Sequence, residues 1–187
     1  MALTFKDSTQ LDSALILEDI AIDLLKEGPD HLQLLRAKAF YQSGETFRRK
    51  GDYFYSLDRH LTALDIRSKY LSKDHSDIAT SNHSVGAIYL MIGDHRKALK
   101  YLEPALASKI ILYGENHIEV DKTCFNVAVA YYCLKNYSQA KKYFIKSEDI
   151  RRTIHGPNHP SLADSYSATG TMLIHSGEIE DGLEEYK

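Results

Sequence analysis

Apolar residues recur along most of this chain at steps of three and four, the spacing that lines one face of a helix. The clearest stripe is Cys124, Val127, Ala128, Tyr131 and Leu134, and after Lys135-Asn136 a second follows at Tyr137, Ala140, Phe144 and Ile145. Two stripes split by a turn predict a pair of antiparallel helices. The unit repeats every 42 residues: small residues stand at Gly44, Gly86, Ala128 and Gly170, with Phe47, Tyr89, Tyr131 and Leu173 three positions on. A second small column is Ser56, Ala98, Ala140 and Gly182. Between the columns lie the turn signals Lys50-Gly51-Asp52, Ile92-Gly93-Asp94, Leu134-Lys135-Asn136 and Ser176-Gly177-Glu178. Gapless copies of this kind mark a repeat array. The small columns let two helices approach closely, with the aromatics beside them filling the flanks.

The pattern predicts helices over 11–26, 34–50, 53–71, 79–92, 95–111, 121–134, 137–153, 163–176 and 178–187, with no strands. Glycine at 51 and 93 supplies a left-handed residue to close one helix, and the following Asp can cap the next. A second set of turns, at Lys73-Asp74-His75, Glu115-Asn116-His117 and Gly156-Pro157-Asn158-His159-Pro160, joins the copies. The similar Gly28-Pro29-Asp30-His31 stands two residues out of phase, so residues 1–36 read as a divergent leading segment with a helix over Leu11 to Lys26. The copies then run 37–78, 79–120, 121–162 and 163–187, the last of them truncated. Ser56 and His60 replace the usual alanine and aromatic of the first copy, which should weaken its packing. Pro104 falls inside a helix and should kink it.

This pattern resembles the tetratricopeptide repeat in its long, 42-residue form, and within that class it is similar to the kinesin light chains. The likeness rests on Ala63-Leu64-Asp65-Ile66-Arg67, on Asp74-His75 followed by Ile78-Ala79-Thr80-Ser81, and on the fuller turn at 156–160. It covers residues 28–187. The resemblance implies an all-α fold, a right-handed superhelical array of antiparallel helix pairs with the first helix of each pair lining a concave groove. The groove positions are Lys38, Tyr41, Gln42, Glu45, Arg48 and Arg49 in the first copy, and Thr80, His83, Ser84, Ala87, Leu90 and Met91 in the second. The third supplies Lys122, Phe125, Asn126, Val129, Tyr132 and Cys133, and the fourth Asp164, Ser167, Ala168, Thr171, Ile174 and His175. Lys38, Tyr41, Arg48, His83, Leu90, Lys122, Phe125, Asn126, Val129 and Tyr132 are the candidate peptide-binding residues. Lys122 and Asn126 match part of the set with which some tetratricopeptide domains clamp a C-terminal carboxylate, but Glu45 and Ser84 stand where other members belong. Asn126-Val127-Ala128 keeps the kinesin light chain motif of Asn before an apolar-Ala pair; Ser43-Gly44, Ser84-Val85-Gly86 and Ala168-Thr169-Gly170 depart from it.

Charge refines the picture. With 23 basic and 26 acidic residues the net charge is −3, which argues against a dedicated nucleic-acid binder. The five segments carry −4, +2, 0, +4 and −5 in chain order, so a mildly basic middle lies between acidic ends. A solvated face explains this; steering of an acidic partner is the alternative. The expected ligand is an extended segment of a protein with one or two bulky apolar or aromatic residues flanked by acidic ones. Association of copies through the truncated C-terminal face, at Leu183 and Tyr186, is a further expectation.

Chemistry beyond binding finds little footing. His75, His117 and His159 recur with the period, too far apart to share one zinc ion, and read as turn caps. Gly156-Pro157 between His155 and His159 denies those two a shared helical face. Cys124 and Cys133 form no CxxC pair and have no evident base, so neither reads as a nucleophile. Neither GxxxxGK[ST] nor GxGxxG occurs. No cofactor, metal, membrane or nucleic acid is expected, and catalysis is not. Two cysteines and an N-terminus without a basic-then-apolar leader fit a cytoplasmic location. The alternative to a scaffold or adaptor is a regulatory segment of a larger enzyme or signalling protein.

Overall fold

The computed structural model describes residues 5–177. Among them the chain forms eight helices and no strand: α1 (Phe5–Leu24), α2 (Asp30–Lys50), α3 (Tyr53–Tyr70), α4 (Ser76–Ile92), α5 (His95–Tyr113), α6 (Ile118–Cys133), α7 (Tyr137–His155) and α8 (Ser161–Ser176). The helix expected over 178–187, with Gly182, Leu183 and Tyr186, lies outside the described residues. The chain divides into two units, Met1–Ile92 and Gly93–Lys187. In the first, α1 packs on α2, α2 on α3 and α3 on α4; in the second, α5 packs on α6, α6 on α7 and α7 on α8.

The helices that open the later copies, α4, α6 and α8, begin two or three residues before the expected positions. The histidine turns are the cause. Nδ1 of His75 accepts from the Asp77 N–H at 3.1 Å, that of His117 from Glu119 at 3.1 Å, and that of His159 from Ser161 at 3.2 Å. Each ring satisfies a free donor of the first turn, so the helix starts at the next residue after His75 and His117, and after Pro160 in the third turn. The Asp94 and Asn136 side chains cap α5 and α7, accepting from Lys97 N–H at 3.1 Å and Gln139 N–H at 3.3 Å. Asp52 does not cap α3 as expected; its carboxylate turns toward Lys50, 4.0 Å from Nζ. Helix α5 runs unbroken through Pro104.

Gly51, Gly93 and Gly177 are left-handed, with φ of 85°, 89° and 93°. The third turn places Lys135 there instead, at φ 60°. It closes the same pair of backbone bonds, Lys135 to Tyr132 and Asn136 to Tyr131, that Gly51 and Asp52 make to Arg48 and Phe47.

The small columns work as close contacts. A Cβ on Gly44 would lie 2.9 Å from three atoms of the His60 ring, so the ring lies flat against the α2 backbone. Ser56 donates to the Gly44 carbonyl at 2.8 Å. Both residues are fully buried, and both ring nitrogens of His60 are buried without a hydrogen-bond partner among the described residues. In the second unit Ala128 meets Ala140 beside Phe144, Met172 and Leu173. The leading helix α1 joins the first core through Ile22, which packs with Ala37, Phe40, Ala63 and Ile66. Part of its acidic charge is consumed internally, Asp12 by Lys50 at 2.7 Å and Asp19 by Arg59 at 3.0 Å.

A series of cations one period apart, Arg67 and Lys109 buried and Arg151 half-buried, joins the second helix of a copy to the helix that follows. Arg67 on α3 donates to Ser81 Oγ at 2.6 Å and to the Asp77 carbonyl at 3.2 Å, both on α4. Lys109 on α5 reaches Glu119 on α6 at 2.9 Å. Arg151 on α7 donates through Nε to both carboxylate oxygens of Asp121 on α6, at 3.0 and 2.9 Å. Its Nη1 bonds the Ser161 carbonyl at 3.1 Å and Ser165 Oγ at 2.7 Å on α8. Asp121 is itself buried and accepts from Ser147. These two polar residues replace the alanines found at the same columns in other copies, Ala37, Ala79 and Ala163, and Ala63 and Ala105.

Two outcomes follow for stability. Replacing Lys135 by Gly should stabilise the protein by about 0.5–1 kcal/mol in urea denaturation, since relief of left-handed strain exceeds the entropy glycine adds to the unfolded chain. Burial alone would raise the Glu119 carboxyl, but Lys109 and Lys122 hold it down to about 2 from its ordinary 4.5. The same burial outweighs Glu119 at Lys109, whose ammonium falls below its ordinary value. A carboxyl depressed in the folded state contributes stability above about pH 4.5 that is lost as pH falls toward about 2. Between those limits the stability of Glu119→Gln should fall less steeply than that of the wild type, as read by chemical denaturation at each pH.

Candidate functional site

In the second unit the exposed faces of α6 and α8 enclose a cavity of about 330 Å³ lined by Val129, Tyr132, Cys133, Phe144, Ser167, Ala168 and Thr171. All but Phe144 are positions that the 42-residue spacing assigns to the groove. Tyr132 stacks on His175, ring centroids 5.8 Å apart, and its hydroxyl bonds His175 Nδ1. Asn126, one turn before Val129, is half-buried and makes no side-chain hydrogen bond among the described residues. Lys122 is exposed and paired with Glu119 at 2.9 Å. Phe125 is differently employed. Its ring meets Phe144 edge-on at 5.5 Å and lies under the Arg151 guanidinium at 5.1 Å.

The first unit repeats that arrangement. Tyr41 meets His60 edge-on at 5.0 Å and lies under the Arg67 guanidinium at 4.9 Å, with its hydroxyl 3.1 Å from Ser84 Oγ. Tyr41 and Phe125 are thus aromatic knobs seated between the cation and the ring column, and their energy goes into packing as well as into any ligand. Arg48 donates to Glu45 at 3.0 and 2.9 Å. Nε2 of His60 lies 3.3 Å from Glu45, off the line of a hydrogen bond. Burial would raise Glu45, but His60 and Arg48 together hold it at about 2. His83 and Leu90 are half-buried on α4, and Lys38 is exposed on α2. Of the cations expected to draw an acidic ligand, Arg48 and Lys122 therefore have internal carboxylate partners. Lys38 and Arg49 are exposed and make no ion pair among the described residues. The expectation for Asp164 lies outside the described side chains.

The cations that cover the two aromatic knobs were missed from the sequence, although their signal, a basic residue at 67, 109 and 151, is visible there. His155 ends α7 and His159 lies in the turn beyond it, so the two share no helical face; their rings nonetheless stack at 4.5 Å across that turn. Among the described residues no three His, Cys, Asp or Glu side chains gather as metal ligands, and no helix is long and apolar enough to cross a membrane. Burial pushes the Cys124 thiol up to about 11 and raises Cys133 as well, so neither is an activated nucleophile.

A family model described as "Tetratricopeptide repeat" matches residues 35–110 and 121–187. The chain belongs to the tetratricopeptide repeat family, and its copies recur at the long, 42-residue spacing. In solved structures the fold is similar to BtubC (BKLC) from P. vanneervenii, with a TM-score of 0.84 at 17% identity over 96% of this chain and 72% of that one. It is also similar to a kinesin light chain-like protein of Podosopora anserina with nearly identical TPR-like repeats, at 0.81 and 16% over 97% and 86%. YrrB, a TPR protein with an unusual peptide-binding site, matches at 0.66 and 19% over 96% and 76%. Among curated proteins the chain is 25% identical over 151 residues to a clustered mitochondria protein homolog of Aspergillus niger. The matched stretch is 81% of this chain and 12% of that relative.

The two thiols give a direct check on the site. Under native conditions an alkylating reagent followed by mass spectrometry should label the exposed Cys133, while Cys124 should react only at the rate of unfolding.

Proposed function

We propose that this chain is a cytoplasmic adaptor that holds an extended segment of a partner protein on the α6–α8 face, in the manner of kinesin-light-chain-like cargo or adaptor binding. The observation that carries this reading is the apolar cavity between α6 and α8 beside the unspent amide of Asn126. An amide that both donates and accepts can pair with a peptide backbone, and the cavity beside it takes a bulky side chain. Aromatic contacts and an apolar centre are what peptide grooves use for affinity. The peptide-binding site of the similar YrrB supports the same class of ligand. Acidic flanks on the ligand would compete for Lys122 with Glu119, so charge adds encounter rate more than affinity.

A second reading has its own support. The similar stretch of the Aspergillus niger relative is a small part of a much longer protein. That likeness supports the alternative that the array is a regulatory segment of a larger enzyme or signalling protein.

A peptide library built on one aromatic residue among acidic ones, read by fluorescence polarisation, tests the first reading. Asn126→Ala should weaken a selected peptide by about 1–2 kcal/mol, because the ligand backbone loses its partners on burial. Lys122→Ala should cost less and lose its effect in high salt. Phe125→Ala should lower both affinity and melting temperature, since its ring also seats Arg151. Unchanged affinity in Asn126→Ala, Val129→Asp and Tyr132→Ala together would rule this face out.

A further inference from the structure

Tyr41 and Phe125 show how a knob is housed in this fold. Its ring lies edge-on to residue 60 or 144 and beneath the cation at 67 or 151, and the Tyr41 hydroxyl reaches residue 84. One period before 60, 67 and 84 stand Glu18, Leu25 and Gln42. All three line a cavity of about 440 Å³ between α1 and α2, together with Leu17, Ala21 and Lys38. The cavity is the same socket, and among the described residues no aromatic side chain fills it.

The surrounding surface is unlike a solvated helix face. On α1, Ile16, Leu17, Ile20 and Leu24 are 62, 68, 49 and 79% exposed. Oε2 of Glu18 is buried without a hydrogen-bond partner, while Oε1 accepts from Thr46 at 2.9 Å. Burial raises the Glu18 carboxyl above its ordinary value, outweighing the hydrogen bond from Thr46.

The covered copy says what fits. Three residues past the Tyr41 knob comes Gly44, against which the ring of His60 lies flat; four past it comes Glu45, facing His60 Nε2 at 3.3 Å. With Glu18 in place of His60, complementarity asks for a cation at that fourth position. We propose that the α1–α2 socket docks one amphipathic helix of a partner protein, carrying an aromatic knob, a small residue three positions on and a Lys or Arg four positions on. The knob enters between Glu18 and Leu25 with Gln42 at its tip, the small residue lets the helix approach Glu18, and the cation pairs with Glu18 Oε2. This extends the α2-on-α3/α4 interface of the chain itself to a helix supplied in trans. It stands apart from the α6–α8 reading, and either can fail alone.

The probe is a helix-constrained synthetic peptide with the α2 sequence, residues 30–50, carrying Glu45→Lys. Titrated by fluorescence polarisation against the full chain, it should bind saturably, and more weakly as salt rises. The Tyr41→Ala version of the peptide should bind roughly tenfold more weakly, and the version that keeps Glu45 should also lose affinity. In the protein, Ala21→Trp should fill the socket and abolish binding with an unchanged circular dichroism spectrum. The peptide variants leave the protein untouched, so they decide the matter even if Ala21→Trp does not fold. Absence of saturable binding, indifference to Tyr41→Ala in the peptide, or binding that falls with Asn126→Ala in the protein and not with Ala21→Trp would each overturn the proposal.

Discussion

The interaction on which much of the structure depends is the cation that α3, α5 and α7 each hold against the start of the helix that follows. An array of helical hairpins has no central core to fix where one copy sits on its neighbour. Apolar stripes alone allow a helix to slide by a turn at small cost. A buried guanidinium does not: removed from water, it needs its full set of acceptors at defined directions. Arg67 finds them at Asp77 and Ser81, and Arg151 at Asp121, Ser161 and Ser165. The geometry holds only when the next helix starts at one residue, which the histidine turns fix independently. Lys109 does the same job through a single ion pair with Glu119, and is the most deeply buried of the three.

Much of this architecture is legible in the sequence because the repeat multiplies weak signals. One Gly-Asp is a poor turn signal, but Gly51, Gly93 and Gly177 in register are a strong one, and together they overrule the missing glycine at Lys135. Helix starts were harder to read. The Nδ1 acceptor of histidine does the work of an Asp or Ser oxygen only once the turn is folded, so His75, His117 and His159 read as turn caps without fixing the residue at which each helix begins. The fate of Ser56 and His60 was also hidden. Judged by type they are poor core residues, whereas judged by position one has a carbonyl to bond and the other a glycine to lie on.

The candidate site was legible to a lesser degree, for a physical reason. Half-exposed positions on the first helix of each pair serve two masters. Spacing identifies the face, and α6 with α8 indeed bring Val129, Tyr132, Ser167, Ala168 and Thr171 around one cavity. Spacing does not reveal which side chain is already engaged by its neighbours. Phe125 and Tyr41, the most prominent aromatics of that face, are held by a cation and a ring within their own unit. Asn126 has no such partner among the described residues, which is why the proposed reading leans on it. Charge followed the same logic, since Arg48 and Lys122 spend their charge on Glu45 and Glu119.

In each unit every helix packs on its neighbour in sequence, and this local wiring governs how the molecule assembles. Contacts between near neighbours close short loops, so little chain entropy must be lost before the first contacts form, and folding of either unit should be fast for its size. The same wiring makes stability nearly one-dimensional. A lesion at one junction, such as loss of Arg151, loosens α7 against α8 while α5 and α6 retain their own contacts. Opening is then graded along the chain rather than all-or-none, and protection against hydrogen exchange should differ from helix to helix instead of collapsing to one value.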